Sequence, residues 1–211
     1  MKPVSQYHQT LAASIIKALE KRNMEGYYFA TAKEAVAYIM SIIPEGSSVS
    51  WGGSATLSES GMMDALKSSS LTLIDRDTAS SPEERTAIQR QAFCANYFFM
   101  STNAITTDGE LVNIDGSGNR VAALIYGPDH VMILAGMNKV AADVEAAITR
   151  VHTNAAPPNT IRLNLKTPCS ATGICKNCLS PDCICAQTVI TRYNRTPGRI
   201  KVFLIGETLG F

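Results

Sequence analysis

The stretch PEGSSVSWGGSATLSESGMMDALK, residues 44–67, decides how the chain is read. Pro44 stops the segment before it, because proline cannot continue a helical hydrogen-bond ladder. Ser47 to Trp51 then reads as a short strand, Gly52 and Gly53 let the backbone turn sharply, and Thr56 to Lys67 reads as a helix. A strand, a glycine loop and a helix in that order form the repeating unit of an α/β sheet.

The same rhythm extends outward on both sides. Upstream, residues 5–22 carry Leu11, Ile15, Ile16 and Leu19 at helical spacing. Gly26 and a strand from Tyr27 to Ala30 follow, and Thr31 with Glu34 makes a capping box for a helix through Ile43. Downstream come a strand from Leu71 to Asp75, a helix from Ser81 and Pro82 to about Phe93, and a strand from Tyr97 to Ser101. Such alternation implies a parallel sheet covered by helices. The rhythm breaks at Thr107-Asp108-Gly109, a turn joining Ala104–Thr106 to Glu110–Asp115 as a β-hairpin. Arg120 to Tyr126 then reads as a short helix, Val131 to Ala135 as a buried strand, and Lys139 to His152 as a long alanine-rich helix, with Ala155 to Pro158 ending the helical part. Beyond Asn159 the composition turns to Thr, Asn, Cys, Pro and Arg, and two terminal strands, Thr188–Tyr193 and Ile200–Ile205, flank a turn at Asn194–Gly198. The expectation is a single domain over 1–211, with an α/β core at 1–158 and a cysteine-bearing loop with terminal strands at 159–211.

Composition limits the function. The 211 residues carry a net charge of +1, 45% hydrophobic and 18% charged side chains. A flat overall field argues against nucleic acid as a partner, and no apolar run is long enough to span a bilayer. The first residues lack the unbroken apolar stretch of a signal peptide, which points to a reducing cytoplasm. There the six cysteines are unusual, because Cys169, Cys175, Cys178, Cys183 and Cys185 crowd one short segment. Cytosolic thiolates at this spacing suit an iron–sulfur cluster or zinc, and unliganded thiols are the plain alternative. Cys94, between Phe93 and Ala95, reads as a core residue.

Two further clusters carry chemistry. Gly52, Gly53, Ser54 and Thr56 offer free backbone N–H groups and hydroxyls at a strand-to-helix turn, a setting that favours anions; an ordinary capped turn is the alternative. The second cluster is Asn113, Asp115, Gly116, Gly118, Asn119 and Arg120. Period-two alternation puts Asn113 and Asp115 on one face of their strand, and Arg120 offers a fork for a carboxylate or phosphate. An Asp115–Arg120 pair bracing the glycine turn is the structural alternative. Val121 stands where a dinucleotide fingerprint needs its third glycine, so that reading fails. Lys139 follows a buried strand and could reach an anion, or be a solvated surface lysine.

The runs SWGGSATLSESG, TNAITTDGELVNIDGSGNRVAALIYGPDHV, AGMNKVAADVEAAITRV and PCSATGICKNCLSPDCICAQTVITRYNRTPGRIKVFLIGETLGF resemble the short, cysteine-bearing branch of the LUD domain family, related to lactate-utilisation protein C. The resemblance covers nearly the whole chain. It implies a three-layer α/β/α fold, mainly parallel with an added β-hairpin, similar to the ribose-phosphate isomerase, glucosamine-phosphate deaminase and CoA-transferase group. In that group the loop matching Gly52 to Thr56 holds an anionic substrate. The implied role is bacterial oxidation of L-lactate to pyruvate, alongside iron–sulfur partner proteins. Cys169, Cys175, Cys178 and Cys185 match the branch's cysteine positions, whereas Cys183 stands where a basic residue is usual.

Two classes of function follow, with a third beside them. One is an accessory or redox subunit acting on lactate or a similar hydroxy acid, with an anion-binding glycine loop and a cysteine-ligated metal centre. Another is an isomerase, ligase or transferase on a phosphorylated or CoA-linked small molecule, with structural zinc or free thiols; its base would be Glu59, Asp115 or Lys139. The third is a non-catalytic binding module for iron–sulfur partner proteins.

Overall fold

Strand and helix alternate as expected in the computed structural model, which describes residues 3–211, but the strands divide between two sheets. The larger has six parallel strands: β1 (Glu25–Phe29), β2 (Ser48–Trp51), β3 (Thr72–Leu73), β4 (Tyr97–Met100), β7 (His130–Gly136) and β10 (Ile200–Ile205), in the order β1-β10-β7-β4-β2-β3. The smaller, mixed sheet joins β5 (Ala104–Thr106), β6 (Leu111–Asp115), β8 (Val140–Ala141) and β9 (Gln187–Thr191) in the order β8-β5-β6-β9. The hairpin read from Thr107-Asp108-Gly109 is the antiparallel β5–β6 pair. The two terminal strands do not pair with each other. β9 lies antiparallel to β6, while β10 sits inside the large sheet between β1 and β7.

Side-chain alternation along the buried strands explains the three layers. Phe98, Met100, Val131, Ile133, Val202 and Leu204 face α1 (Pro3–Lys21), whose Ala12, Ile15 and Leu19 are buried against them. Their neighbours Phe99, Met132, Leu134, Phe203 and Ile205 face α2 (Ala32–Ile42) and the helices α3 (Ala55–Glu59) and α4 (Met62–Lys67). Strands with both faces covered must be apolar throughout, and these are. The Thr31–Glu34 capping box opens α2 in the expected place.

Several expected helices differ in detail. The helix read over Thr56–Lys67 is broken at Gly61, whose φ of +78° a right-handed helix cannot include. The helix that includes α5 (Pro82–Gln91) tightens into a 3-10 turn, Ala92–Cys94, which buries Ala92 and turns Cys94 out to solvent, so Cys94 is not a core residue. After α6 (Asn119–Ile125) and β7, the expected helix from Lys139 is interrupted. A 3-10 turn, Met137–Lys139, and β8 come first, then α7 (Val144–Arg150), a π-type turn (Val151–Ala155) and α8 (Ala156–Arg162). Pro157 and Pro158 therefore do not end the helical part. They lie in the first turn of α8, where a missing N–H removes no internal hydrogen bond. Alanine-rich composition fits both outcomes, and β8 wins because it pairs with β5.

Candidate functional site

A cavity of about 280 Å³ lies beyond the carboxyl ends of the large sheet, where open α/β sheets hold their ligands. The segments leaving β2, β4 and β7 supply Gly53 and Ser54, Ser101 to Asn103, and Lys139; the segment after β10 supplies Phe211. The other wall brings in Asp115, Asn119, Arg120 and Cys185, so residues from the glycine loop, the polar cluster and the thiol segment meet at one place. Gly52, Asn113 and Gly118 stand behind this surface rather than on it.

Arg120 is committed to the protein. Its Nε donates to Asp115 Oδ2 (3.1 Å), one terminal nitrogen to Ser101 O (2.9 Å) and Asn113 Oδ1 (2.7 Å), and the other to Asn103 Oδ1 (2.8 Å) and Ile114 O (3.2 Å). A guanidinium has five N–H groups, and these contacts use them all. The Asp115–Arg120 pair is almost wholly buried and braces β6 against the Gly116–Gly118 turn, which is the structural alternative to a free fork. Asn113 and Asp115 do share a face, and both turn to Arg120.

Arg76 is the reverse case. It begins the 3-10 turn after β3, its side chain is 14% exposed, and its nearest acid oxygen, on Asp77, is 3.9 Å away. Its Nε is buried with no hydrogen-bond partner, while the side chain lines the cavity. Burial pushes its pKa down, with Asp77 opposing, and an arginine side chain in a protein keeps its charge. The glycine pair makes room for both arginines. A Cβ on Gly52 would stand 3.0 Å from Arg120 Cγ, and one on Gly53 2.9 Å from a terminal nitrogen of Arg76.

The loop hydroxyls are partly occupied. Ser54 caps α3 by accepting from Leu57 N, and Thr56 Oγ1 donates to Leu209 O. Glu59 accepts from Gly210 N at 2.6 Å. Lys139 is 4% exposed rather than a solvated surface lysine, and its Nζ donates to Phe211 O at 2.8 Å. Burial pushes its pKa down to about 7, reinforced by the positive charges of Arg150 and Arg120 and opposed by Glu59. Among the described side chains lining the cavity are four basic ones, Arg76, Arg120, Lys139 and Arg162, and a single carboxylate, Asp115. That carboxylate is already paired with Arg120. The cavity lining therefore carries an excess of basic side chains.

Arg76 was absent from the sequence-level candidates. The available signal was its position: a basic residue at the exit of a parallel strand, where ligand contacts concentrate.

The thiols of the segment contact different neighbours. Cys169, buried in α9 (Pro168–Thr172), lies 3.2 Å from Thr167 Oγ1. Cys175 Sγ lies 3.5 Å from His152 Nδ1 and accepts Asn177 N, while Cys183 Sγ accepts Cys185 N. Burial, together with Cys183, Cys175 and Cys169, pushes the Cys185 thiol up to about 12. Thiol chemistry suits a soft metal. The placement does not, because four ligands must surround one ion, and among the described residues no group of three or more His, Cys, Asp or Glu side chains converges. The expected set Cys169, Cys175, Cys178 and Cys185 is thus not assembled around a common centre, and all six cysteines are free.

Comparison with known proteins places these features in a family. The LUD domain model matches residues 12–205. The fold is similar to the crystal structure of a DUF162 family protein from Deinococcus radiodurans, with a TM-score of 0.55 and 10% identity over 94% of this chain and 98% of that one. A weaker likeness, to eIF2B delta from Chaetomium thermophilum, has a TM-score of 0.31 and 20% identity, covering 52% of this chain and 46% of that one. No curated protein matches the sequence. Among the described residues no helix is long and apolar enough to cross a membrane.

Proposed function

The chain belongs to the LUD domain family, and from that membership we propose that it is a lactate-utilisation-type protein binding L-lactate, a similar hydroxy acid, or the corresponding keto acid. The reading places it in the cytoplasm as an accessory subunit working with iron–sulfur partner proteins. The observation that carries it is the Arg76 guanidinium, almost buried, facing the cavity and without a hydrogen-bond partner at Nε. Leaving such a donor unpaired in a buried site is costly, and a carboxylate supplies the paired oxygens that a guanidinium matches. The substrate's second oxygen, hydroxyl or keto, would fall to Lys139, since the N–H groups of Arg120 are already used. Glycine at position 53 is part of the same arrangement, since any side chain there would displace Arg76.

Thermal-shift measurements test this directly. L-lactate or pyruvate should raise the melting temperature of the protein, and Arg76→Ala should weaken the apparent affinity roughly 10- to 100-fold, the value of a charge-assisted contact. Because Arg76 makes no hydrogen bond that the fold depends on, this variant should melt near the parent without ligand. Stabilisation by sugar phosphates or CoA, with none by lactate or pyruvate, would replace this reading with the isomerase, ligase or transferase alternative.

The redox-subunit form of the proposal needs a cluster on Cys169, Cys175, Cys178 and Cys185. Iron, acid-labile sulfide and zinc analysis of protein purified without oxygen tests it, and metal-free protein would exclude the cluster. One cluster per chain would restore the redox role, and one zinc would make the segment a structural knot.

A further inference from the structure

Lys139 is a buried amine in the cavity wall for which anion binding alone gives no full account. It ends the 3-10 turn that leaves β7, and its Nζ has one hydrogen-bond partner, Phe211 O. The charged groups acting on it come from three elements: Arg150 on α7, Arg120 on α6 and Glu59 on α3. The two guanidinium groups repel a third positive charge, and Arg120 is held in place by its own five contacts. An amine whose protonation is disfavoured by burial and by two fixed cations, in a cavity read as a carboxylate site, has a lone pair to offer a carbonyl carbon. We propose that Lys139 forms an imine with a 2-keto acid bound in the cavity. This rests on the reading of the cavity as a hydroxy or keto acid site.

The step balances without a co-reactant. The Nζ lone pair attacks the keto carbon, forming a C–N bond while the carbonyl π electrons move to oxygen. Nitrogen loses a proton and oxygen gains one, giving a carbinolamine. A second proton moves from nitrogen to the hydroxyl, water leaves, and the nitrogen lone pair completes the C=N bond. Amine plus ketone gives imine plus water, with no change in oxidation level. Arg76 would hold the carboxylate so that the keto carbon, rather than the acid group, is presented to Nζ.

The test is reductive trapping of the full chain with pyruvate and sodium borohydride, followed by peptide mass mapping, with melting temperature measured in parallel. The expected result is one reduced pyruvyl adduct, on Lys139, formed faster as pH rises through 7 and suppressed by excess L-lactate. Lys139→Arg should abolish the adduct. Stabilisation by pyruvate with no adduct on Lys139, or with labelling spread evenly over surface lysines, overturns the inference and leaves the reading of the site standing. If pyruvate neither stabilises nor labels, the reading of the site fails. Glyoxylate, smaller and more electrophilic, then tests the amine by itself: selective trapping on Lys139 supports the inference, and its absence ends it.

Discussion

Arg120→Ala should lower the stability of the protein by about 3–5 kcal/mol, the range for removing one partner of a buried ion pair. For a chain of this size that corresponds to a fall in melting temperature of roughly 10 °C. The loss has two parts. Asp115 becomes a buried carboxylate without its counter-charge, and the acceptors on Ser101, Asn103, Asn113 and Ile114 lose their donor together. These acceptors belong to the exit of β4 and to β6, so the damage joins the two sheets. Thermal and urea unfolding of the variant should show a lower midpoint, and lysine at the position should recover only a minor part, because an ammonium cannot reproduce the planar fork. Stability equal to the parent would mean that the pair contributes nothing. The contrast with Arg76→Ala is the useful one: two arginines on the same cavity, one expected to hold the fold and the other the ligand.

Lys139→Met should stabilise the protein, and the gain should depend on pH. In the folded chain Lys139 titrates near 7, against 10.5 for an ordinary lysine. Between these values the unfolded chain holds a proton that the folded chain has released, so stability conferred through this group rises with pH across that window. Below pH 7 both states are protonated and the folded protein bears the full cost of a buried charge. The advantage of methionine, which has similar length and no charge, should therefore be largest at pH 6, on the order of 4 kcal/mol before the lost bond to Phe211 is subtracted, and should shrink towards pH 10. Urea titrations of both proteins at pH 6 and pH 9 measure it. An equal difference at the two pH values would show that Lys139 titrates normally.

What was legible in the sequence was local. The Thr31–Glu34 box, the helical spacing of Ile15 and Leu19, and the Thr107–Gly109 turn each act within a few residues, so the pattern and the structure agree there. The α/β class followed from the same signals. What depended on distant residues was misread. Lys139 is buried by a segment some 70 residues later in the chain, and nothing around Asn138 could announce it. The strand at Ile200–Ile205 has a plain apolar pattern that does not reveal its place between β1 and β7. Arg120 drew attention because it follows a glycine turn, yet the turn needs it as a brace. Arg76 sits in no motif at all. The cysteines show the limit of spacing as evidence: proximity in sequence brings thiols near one another, but the path of 169–185 decides whether they surround a common point.

The position of β10 also governs how the chain must be made. β1 pairs with it through Glu25↔Lys201 to Phe29↔Ile205, and β7 takes its other edge from Ile200↔Val131 onward. While a ribosome is still extending the chain, β1 and β7 have a strand-wide gap between them, and the apolar side chains that line it are exposed. Closing a loop of such length is slow compared with a local hairpin, and open strand edges attract other chains. β7, β4, β2 and β3 can pair without β10, but β1 cannot join them, so the large sheet is completed only after residues 200–205 emerge. Translation that stalls before that point leaves a sticky, half-built sheet, so this is a protein whose yield should depend on chaperone supply more than its final stability would suggest.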